Sequence, residues 1–209
     1  MGPSYGYNST VEMRCWPMSD PVYIAYHDDE WGRPVTDERG VYERLCLEGF
    51  QSGLSWWTIL RKRENFRRAF ADFDPDRVAR FRERDVVRLL ADAGIVRHRG
   101  KIEATIANAK GVLALREAGT PLHELVWSFS PAEHAVPVTM SDWQAETPES
   151  KELSKRLKSA GFRFVGPTTV WAAMQECGVV NDHLATCIVR DEVEAARRKA
   201  ERQRSGARD

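Results

Sequence analysis

The 209-residue chain predicts an all-α fold, and three observations carry that expectation. Apolar side chains recur at helical intervals of three and four, no long run alternates apolar with polar residues, and capping residues, prolines and glycines stand where helices would start and stop. With 42% hydrophobic residues the chain can build one sizeable core in a single compact unit of one or two lobes.

Each element follows from local chemistry. Residues 37–51 read as a helix opened by Asp37, with Val41, Leu45 and Glu48 at intervals of four and three; residues 55–70 form another, carrying Trp56, Ile59, Leu60, Phe66 and Phe70. Asp74 places a capping oxygen before Pro75, which suits a first helical turn, and Asp85 opens a further helix that Gly94 ends in left-handed geometry. Helices follow over 101–117, over 148–160 between Thr147-Pro148 and Gly161, over 167–177 and over 182–198. The proline-containing stretch from Ser130 to Glu146 reads as an ordered surface loop. Residues 1–13 read as a flexible tail, 14–192 as one domain, and 193–209, with its ending "RRKAERQRSGARD", as a helix end that frays.

No apolar run approaches the ~20 residues of a membrane span and no secretory signal opens the chain, so a cytoplasmic protein without a membrane partner is expected. In that compartment Cys15, Cys46, Cys177 and Cys187 are thiols or metal ligands rather than disulfides, and Asn8-Ser9-Thr10 is a sequon without consequence. Lys+Arg and Asp+Glu both number 31, so bulk charge announces no nucleic-acid partner. Arg61, Lys62, Arg63, Arg67 and Arg68 crowd one stretch, and Arg97, Arg99 and Lys101 another; taken alone, each reads first as a solvated helix face, with a phosphate-binding patch as the alternative.

Three stretches carry candidate chemistry. In "VNDHLATC" His183 and Cys187 are four apart, which on a helix places imidazole and thiolate on one face; Cys15 and His27, in a loop-like segment far upstream, would complete a tetrahedral zinc set. Four protein ligands leave no open position, so such a metal is structural, and it clips the two ends of the chain together. A surface histidine and two buried thiols explain the same residues. In "CLEGFQSGLSWW", Glu48 ends one helix and Trp56 starts the next, which suits a carboxylate that bonds a flat heterocycle while a ring stacks on it; an ordinary exposed glutamate is the alternative. Gly53 and Leu54 between them form a flexible point and an apolar tip, either a wedge for a gap in a duplex or a packed loop leucine. Gly166 and Thr168 begin a helix after "GFRFVGP", where backbone amides can bind phosphate, unless this is a plain turn.

Taken together, Cys15, "YIAYHDDEWG", "LEGFQSGLSW", "ILRKRENFRRAF", "DAGIVRHRGKI", "VWSF", "GFRFVGPTT" and "VVNDHLATC" resemble the 3-methyladenine DNA glycosylase I family over about residues 14–187. The resemblance implies the helix-hairpin-helix glycosylase fold, in two helical lobes, with a structural Zn2+ on Cys15, His27, His183 and Cys187 and with Cys46 and Cys177 as core thiols. It further implies Glu48 as the catalytic and base-recognising carboxylate, Tyr26, Trp56 and Trp31 around the base, and Gly53, Leu54, Gly166 and Thr168 against DNA. The implied activity is excision of 3-methyladenine from alkylated double-stranded DNA by a monomer, with free base and an abasic site as products and no strand cleavage. Lys101 is then a backbone contact or a structural group. Two departures from the family pattern stand out: the Cys15 to His27 spacing is one residue short, and Phe50 replaces a polar residue, which would make the pocket rim more apolar. Where the wider superfamily has Val-Asp-x-His, "VNDH" has Asn181, so no aspartate activator is expected. A non-catalytic reader of damaged DNA and a zinc hydrolase are the rival functions.

Overall fold

The computed structural model describes residues 13–206. The tail expected over residues 1–12, with its sequon, and the last three residues lie outside them. Eleven α-helices are present among the described residues: α1 (Pro21–Asp29), α2 (Glu38–Gln51), α3 (Trp56–Leu60), α4 (Arg63–Ala69), α5 (Pro75–Val78), α6 (Glu83–Ala91), α7 (Arg99–Glu117), α8 (Leu122–Trp127), α9 (Pro148–Ser159), α10 (Pro167–Glu176) and α11 (Arg190–Gly206). Short 3-10 turns cover Ala71–Phe73 and Met140–Asp142. The single strand-like pairing among the described residues joins Met13 to Cys187.

The caps explain the starts. Asp20 accepts from Val22 N at 2.9 Å with Pro21 in the first turn, Asp37 accepts from Gly40 N at 2.8 Å, and Thr147 and Ser150 cap α9 reciprocally at 3.2 and 2.9 Å. Helix α2 runs through the middle of the molecule and packs on α3, α7, α8 and α10. Its buried face, with Val41, Leu45 and Phe50, belongs to one large apolar cluster; a second, small cluster gathers Cys15, Leu184, Cys187, Val189 and Val193.

Several sequence expectations need correction. The helix read over 55–70 is broken at Arg61 and Lys62. Helix α6 begins at Glu83, two residues before Asp85, and ends at Ala91 with Asp92 extended; Gly94 is not left-handed but donates its N–H to Asp92 at 2.7 Å. Residues 182–189 are not helical, so His183 and Cys187 meet across a turn, and α11 starts at Arg190. That last helix continues beyond the expected residue 198 to Gly206, with Ala200 buried. His27 sits on helix α1 rather than in a loop. Phe50, expected at a pocket rim, is in the core against Phe66.

The hairpin between α9 and α10 is held from behind. Gly161 turns the chain at φ +88°, Asn108 of α7 donates to Arg163 O at 3.1 Å and accepts from Arg163 N at 2.7 Å, and Ser154 bonds Val165 O at 2.6 Å. Gly111, mid-helix in α7, would otherwise cost about 1 kcal/mol relative to alanine. It is required there because a Cβ would lie 2.5 Å from the Phe162 ring.

Candidate active site and metal centre

Cys15, His27, His183 and Cys187 converge, all buried, with ligand atoms within 4.8 Å of one another. The Cys15 and Cys187 sulfurs are each 3.3 Å from His183 Nδ1, and Cys187 is 3.6 Å from His27 Nε2. Tetrahedral zinc with bonds of about 2.0–2.3 Å places its ligand atoms about 3.3–3.8 Å apart, so the donor set and its spacing fit a structural zinc. Partners on the far side fix the imidazoles. His27 Nδ1 is 2.7 Å from Asp28, itself held by Arg14 at 2.8–3.1 Å, and His183 Nε2 donates to Trp31 O at 3.0 Å. Each ring thereby keeps its proton outward and turns a lone pair toward the sulfurs. Between the thiols, the hydrogen bond from Cys15 holds Cys187 far below the usual thiol range, and that same shared hydrogen pushes Cys15 up.

The metal ligands are adjacent in sequence to the wall of a cavity of about 280 Å³. His27 follows Tyr26, Cys15 precedes Trp16, and His183 bonds the backbone of Trp31. Tyr26, Trp31, Trp56 and Glu48 all line this cavity, joined by Trp16, Tyr23, Gln51, Trp143, Ala172 and Gln175. Tyr26 and Trp56 stand with ring centroids 5.3 Å apart, Trp16 meets Trp31 edge to face at 5.0 Å, and Trp143 meets Trp31 at 5.9 Å. The cavity is thus aromatic on most sides, with one acidic group.

That group is Glu48, 7% exposed. Among the described residues no hydrogen bond or ion pair engages its carboxylate. Burial, and then the nearby charge of Glu176, push its pKa well above the ordinary carboxylate range. A desolvated, unpartnered acid in an aromatic chamber is suited to a planar cationic guest.

Size alone does not single out this cavity. A cleft of about 410 Å³ lies beside α11, but its Arg197 and Arg198 are bound to Glu194 at 2.8–3.1 Å, and its Arg190 to the carbonyls of Asn181 and His183. Asn181, which stands where the wider superfamily has an aspartate, is 2% exposed and bonds Arg190 O at 3.1 Å and Glu194 at 3.2 Å. The adjacent Asp182 is occupied by His134 and Gln175, both at 2.5 Å.

The remaining expected residues lie outside the cavity. Gly53 is left-handed at φ +81° and Leu54 is 43% exposed, at the tip of a turn closed by Leu54 N to Gln51 O at 2.6 Å; this excludes the packed-leucine alternative. Lys101, 8% exposed, bridges the base of that turn by donating to Phe50 O at 2.9 Å and Ser52 O at 2.5 Å, and is a structural group. Gly166 starts α10 with Pro167 in its first turn and no side-chain cap, and Thr168 is exposed. Sequence reasoning missed Tyr23, Gln51 and the pair Ala172 and Gln175, although each lies three positions from a partner on the same helix. Trp143 carries no periodic signal, since it lies in the loop before α9.

A methyladenine glycosylase profile matches residues 16–191. Over 177 residues the chain is 51% identical to DNA-3-methyladenine glycosylase 1 of Escherichia coli K12, covering 83% of this chain and 95% of that one. To the DNA-3-methyladenine glycosylase of Haemophilus influenzae Rd it is 44% identical over 178 residues, 83% and 96% of the two chains. A crystal structure of 3-methyladenine DNA glycosylase I superposes with TM-score 0.81 at 49% identity, covering 84% of this chain and 98% of that one. A structure of the Staphylococcus aureus 3-methyladenine DNA glycosylase I, concerned with 3-methyladenine recognition, gives 0.79 at 36% identity over 83% and 93%.

Proposed function

The chain belongs to the 3-methyladenine DNA glycosylase I family, within the helix-hairpin-helix glycosylases, and on that premise we propose that it hydrolyses the N-glycosidic bond of 3-methyladenine in alkylated duplex DNA. The observation that carries the reading is Glu48: a buried carboxylate with no partner among the described residues, in an aromatic cavity. A methyl group on N3 makes the adenine cationic, and a cation is what offsets the cost of charging Glu48 away from water. Neutral adenine offers no such compensation.

The labile bond needs little activation. Once the nucleotide is rotated out of the duplex, Tyr26 and Trp56 hold the base, with Trp31 on the wall, and Glu48 accepts its hydrogen bonds. As the bond from sugar C1′ to the base breaks, its electron pair neutralises the purine; water adds to C1′ and its proton leaves to solvent. Glu48 also stabilises the positive charge that develops on the sugar. Lys101 is committed to two carbonyls and cannot form a covalent adduct with the sugar, in keeping with hydrolysis without strand cleavage. Leu54 on its exposed turn fills the space vacated in the duplex, and the backbone N–H groups of Gly166 and Thr168, which flank Pro167 at the start of α10, donate to a phosphate. The zinc on Cys15, His27, His183 and Cys187 supplies no chemistry; those residues fix the backbones of Trp16, Tyr26 and Trp31.

Incubation of methylated duplex with the protein, with chromatography of the freed bases, tests the reading. Release of 3-methyladenine with intact strands is expected. Tight binding without release would favour the non-catalytic reader, and loss of activity on chelation without loss of fold would favour the zinc hydrolase.

A further inference from the structure

The base cavity has a second polar wall group, and its orientation is set from outside the cavity. Gln175, on the last turn of α10, lines the cavity, and its Nε2 donates to Asp182 Oδ2 at 2.5 Å. Asp182 is 4% exposed and lines a neighbouring cavity rather than this one. Its other carboxylate oxygen takes His134 Nε2 at 2.5 Å, and its main-chain oxygen accepts from Trp143 Nε1 at 2.8 Å. Trp143 is also on the wall of the base cavity. One buried residue therefore holds two wall groups in place.

The bond to Asp182 decides which end of the Gln175 amide is left over. An ionised carboxylate only accepts hydrogen bonds, so the amide nitrogen faces it and the amide oxygen remains. Among the described residues nothing donates to that oxygen. Gln51, the other amide on the wall, makes no side-chain hydrogen bond among the described residues and can present either end. The four indoles of the wall can only donate. Gln175 from α10 thus adds a second oriented acceptor to the one that Glu48 brings from α2.

Those two acceptors match one edge of an N3-methylated adenine. Joined to deoxyribose, this base has a single source of N–H donors, its exocyclic amino group, and that group carries two hydrogens. We infer, resting on the reading of the cavity given above, that Gln175 is a specificity-determining residue: its amide oxygen accepts one N–H of the exocyclic amine while Glu48 accepts the other, and Asp182 is the positioning residue that keeps this oxygen turned inward. An N3-methylated guanine bears the same positive charge but has a carbonyl at the ring carbon where adenine has its amine. Its oxygen would meet the Gln175 oxygen with no hydrogen between them. The bond to Asp182 prevents the amide from turning over to offer its nitrogen instead. Glu48 selects for charge, and Gln175 selects adenine among charged purines.

Duplex DNA carrying both 3-methyladenine and 3-methylguanine, with chromatography of the freed bases, tests this in wild type, Gln175→Met and Asp182→Asn. Gln175→Met keeps the side-chain length but removes the acceptor. Its kcat/KM for 3-methyladenine should fall on the order of tenfold while that for 3-methylguanine does not fall, so the ratio narrows. Asp182→Asn keeps an oxygen for His134 and turns an NH2 group toward Gln175, which turns the amide over; the ratio should narrow again, at unchanged zinc content. Equal losses on both bases, or a ratio that stays at the wild-type value, overturn the inference. A wild-type protein that frees neither base overturns the glycosylase reading itself, which is a different result. Should Gln175→Met not fold, or 3-methylguanine release be too slow to measure in every protein, carbon-13 NMR of the wild-type side-chain carbonyls decides. The Gln175 Cδ resonance should move downfield on titration with free 3-methyladenine and not with 3-methylpurine, which lacks the amine. A resonance that ignores the first ligand, or answers both alike, overturns the inference.

Discussion

The Cys2His2 cluster and the aromatic cavity share helix α1, through neighbours His27 and Tyr26, yet they handle buried polarity in opposite ways. In the cluster every donor has an internal partner: imidazole faces thiol, and Asp28 and the Trp31 carbonyl hold the outward ring nitrogens. In the cavity Glu48 has none among the described residues. A set of four groups that converge on one another and fit a single metal has nothing left to offer a purine, whereas a group left unsatisfied at the cost of stability is available for binding. The contrast separates scaffold from site more sharply than residue type does, since both regions are rich in ionisable groups.

The largest effect that would break this contrast is expected at the cluster. Cys187→Ala removes one ligand and strands three buried ones, so zinc content and melting temperature should both fall, with a loss of stability on the order of several kcal/mol. Elemental analysis with a thermal melt checks it; an unchanged metal content would show that the cluster is not the zinc site. Because His183 bonds the Trp31 backbone, base affinity should weaken in the same variant.

At the cavity the order of effects reverses. Glu48→Gln should fold at least as stably as wild type but lose on the order of 10²-fold in excision, because an amide accepts hydrogen bonds without offsetting a cation. Single-turnover release from methylated DNA measures the loss. Wild-type excision would remove Glu48 from the mechanism.

A smaller effect separates the regions by pH. Glu48 has a raised pKa in the folded protein, so between its ordinary value of 4.5 and that raised value the folded state holds a proton that the unfolded state has lost. Stability from this group is therefore present at low pH and is lost as pH rises through the window, by up to about 1.4 kcal/mol per pH unit. The melting-temperature advantage of Glu48→Gln over wild type should grow from pH 5 to pH 8. The zinc cluster behaves oppositely, since its ligands bind metal only when deprotonated and acid releases it. A flat difference between the two proteins would mean Glu48 is not buried as described.

The smallest effect isolates DNA from base. Leu54→Ala should leave affinity for free 3-methyladenine unchanged and weaken binding to an abasic duplex by about 1–2 kcal/mol, more than to an intact duplex. Equal losses on both duplexes would return Leu54 to an ordinary surface role.

The sequence discloses the two regions unevenly. Glu48 and Trp56 are legible because helix α2 keeps its period to the last turn and Ser55 caps the next helix. The ligand set is legible as residue types, but the i, i+4 spacing of His183 and Cys187 misleads: a turn brings residues four apart together as a helix does, and nothing local distinguishes them. Trp16 and Trp143 reach the cavity from segments without periodicity, so only tertiary contact reveals them. Phe50 fails as a rim residue for the converse reason, because a helix rotates each residue by a fixed angle and Phe50 falls on the core side.

The pairing of Cys15 with His183, 168 positions apart, also sets an order in time. A ribosome adding about 5–20 residues per second exposes Cys15, His27 and the Tyr26 wall many seconds before the second half of the metal site is made. During that interval the early pair is a weak, two-ligand metal site, and Trp31 lacks the imidazole that anchors its backbone. The aromatic chamber is therefore among the last parts of the protein to mature, and a nascent chain interrupted before His183 would carry Glu48 on helix α2 without the completed chamber around it.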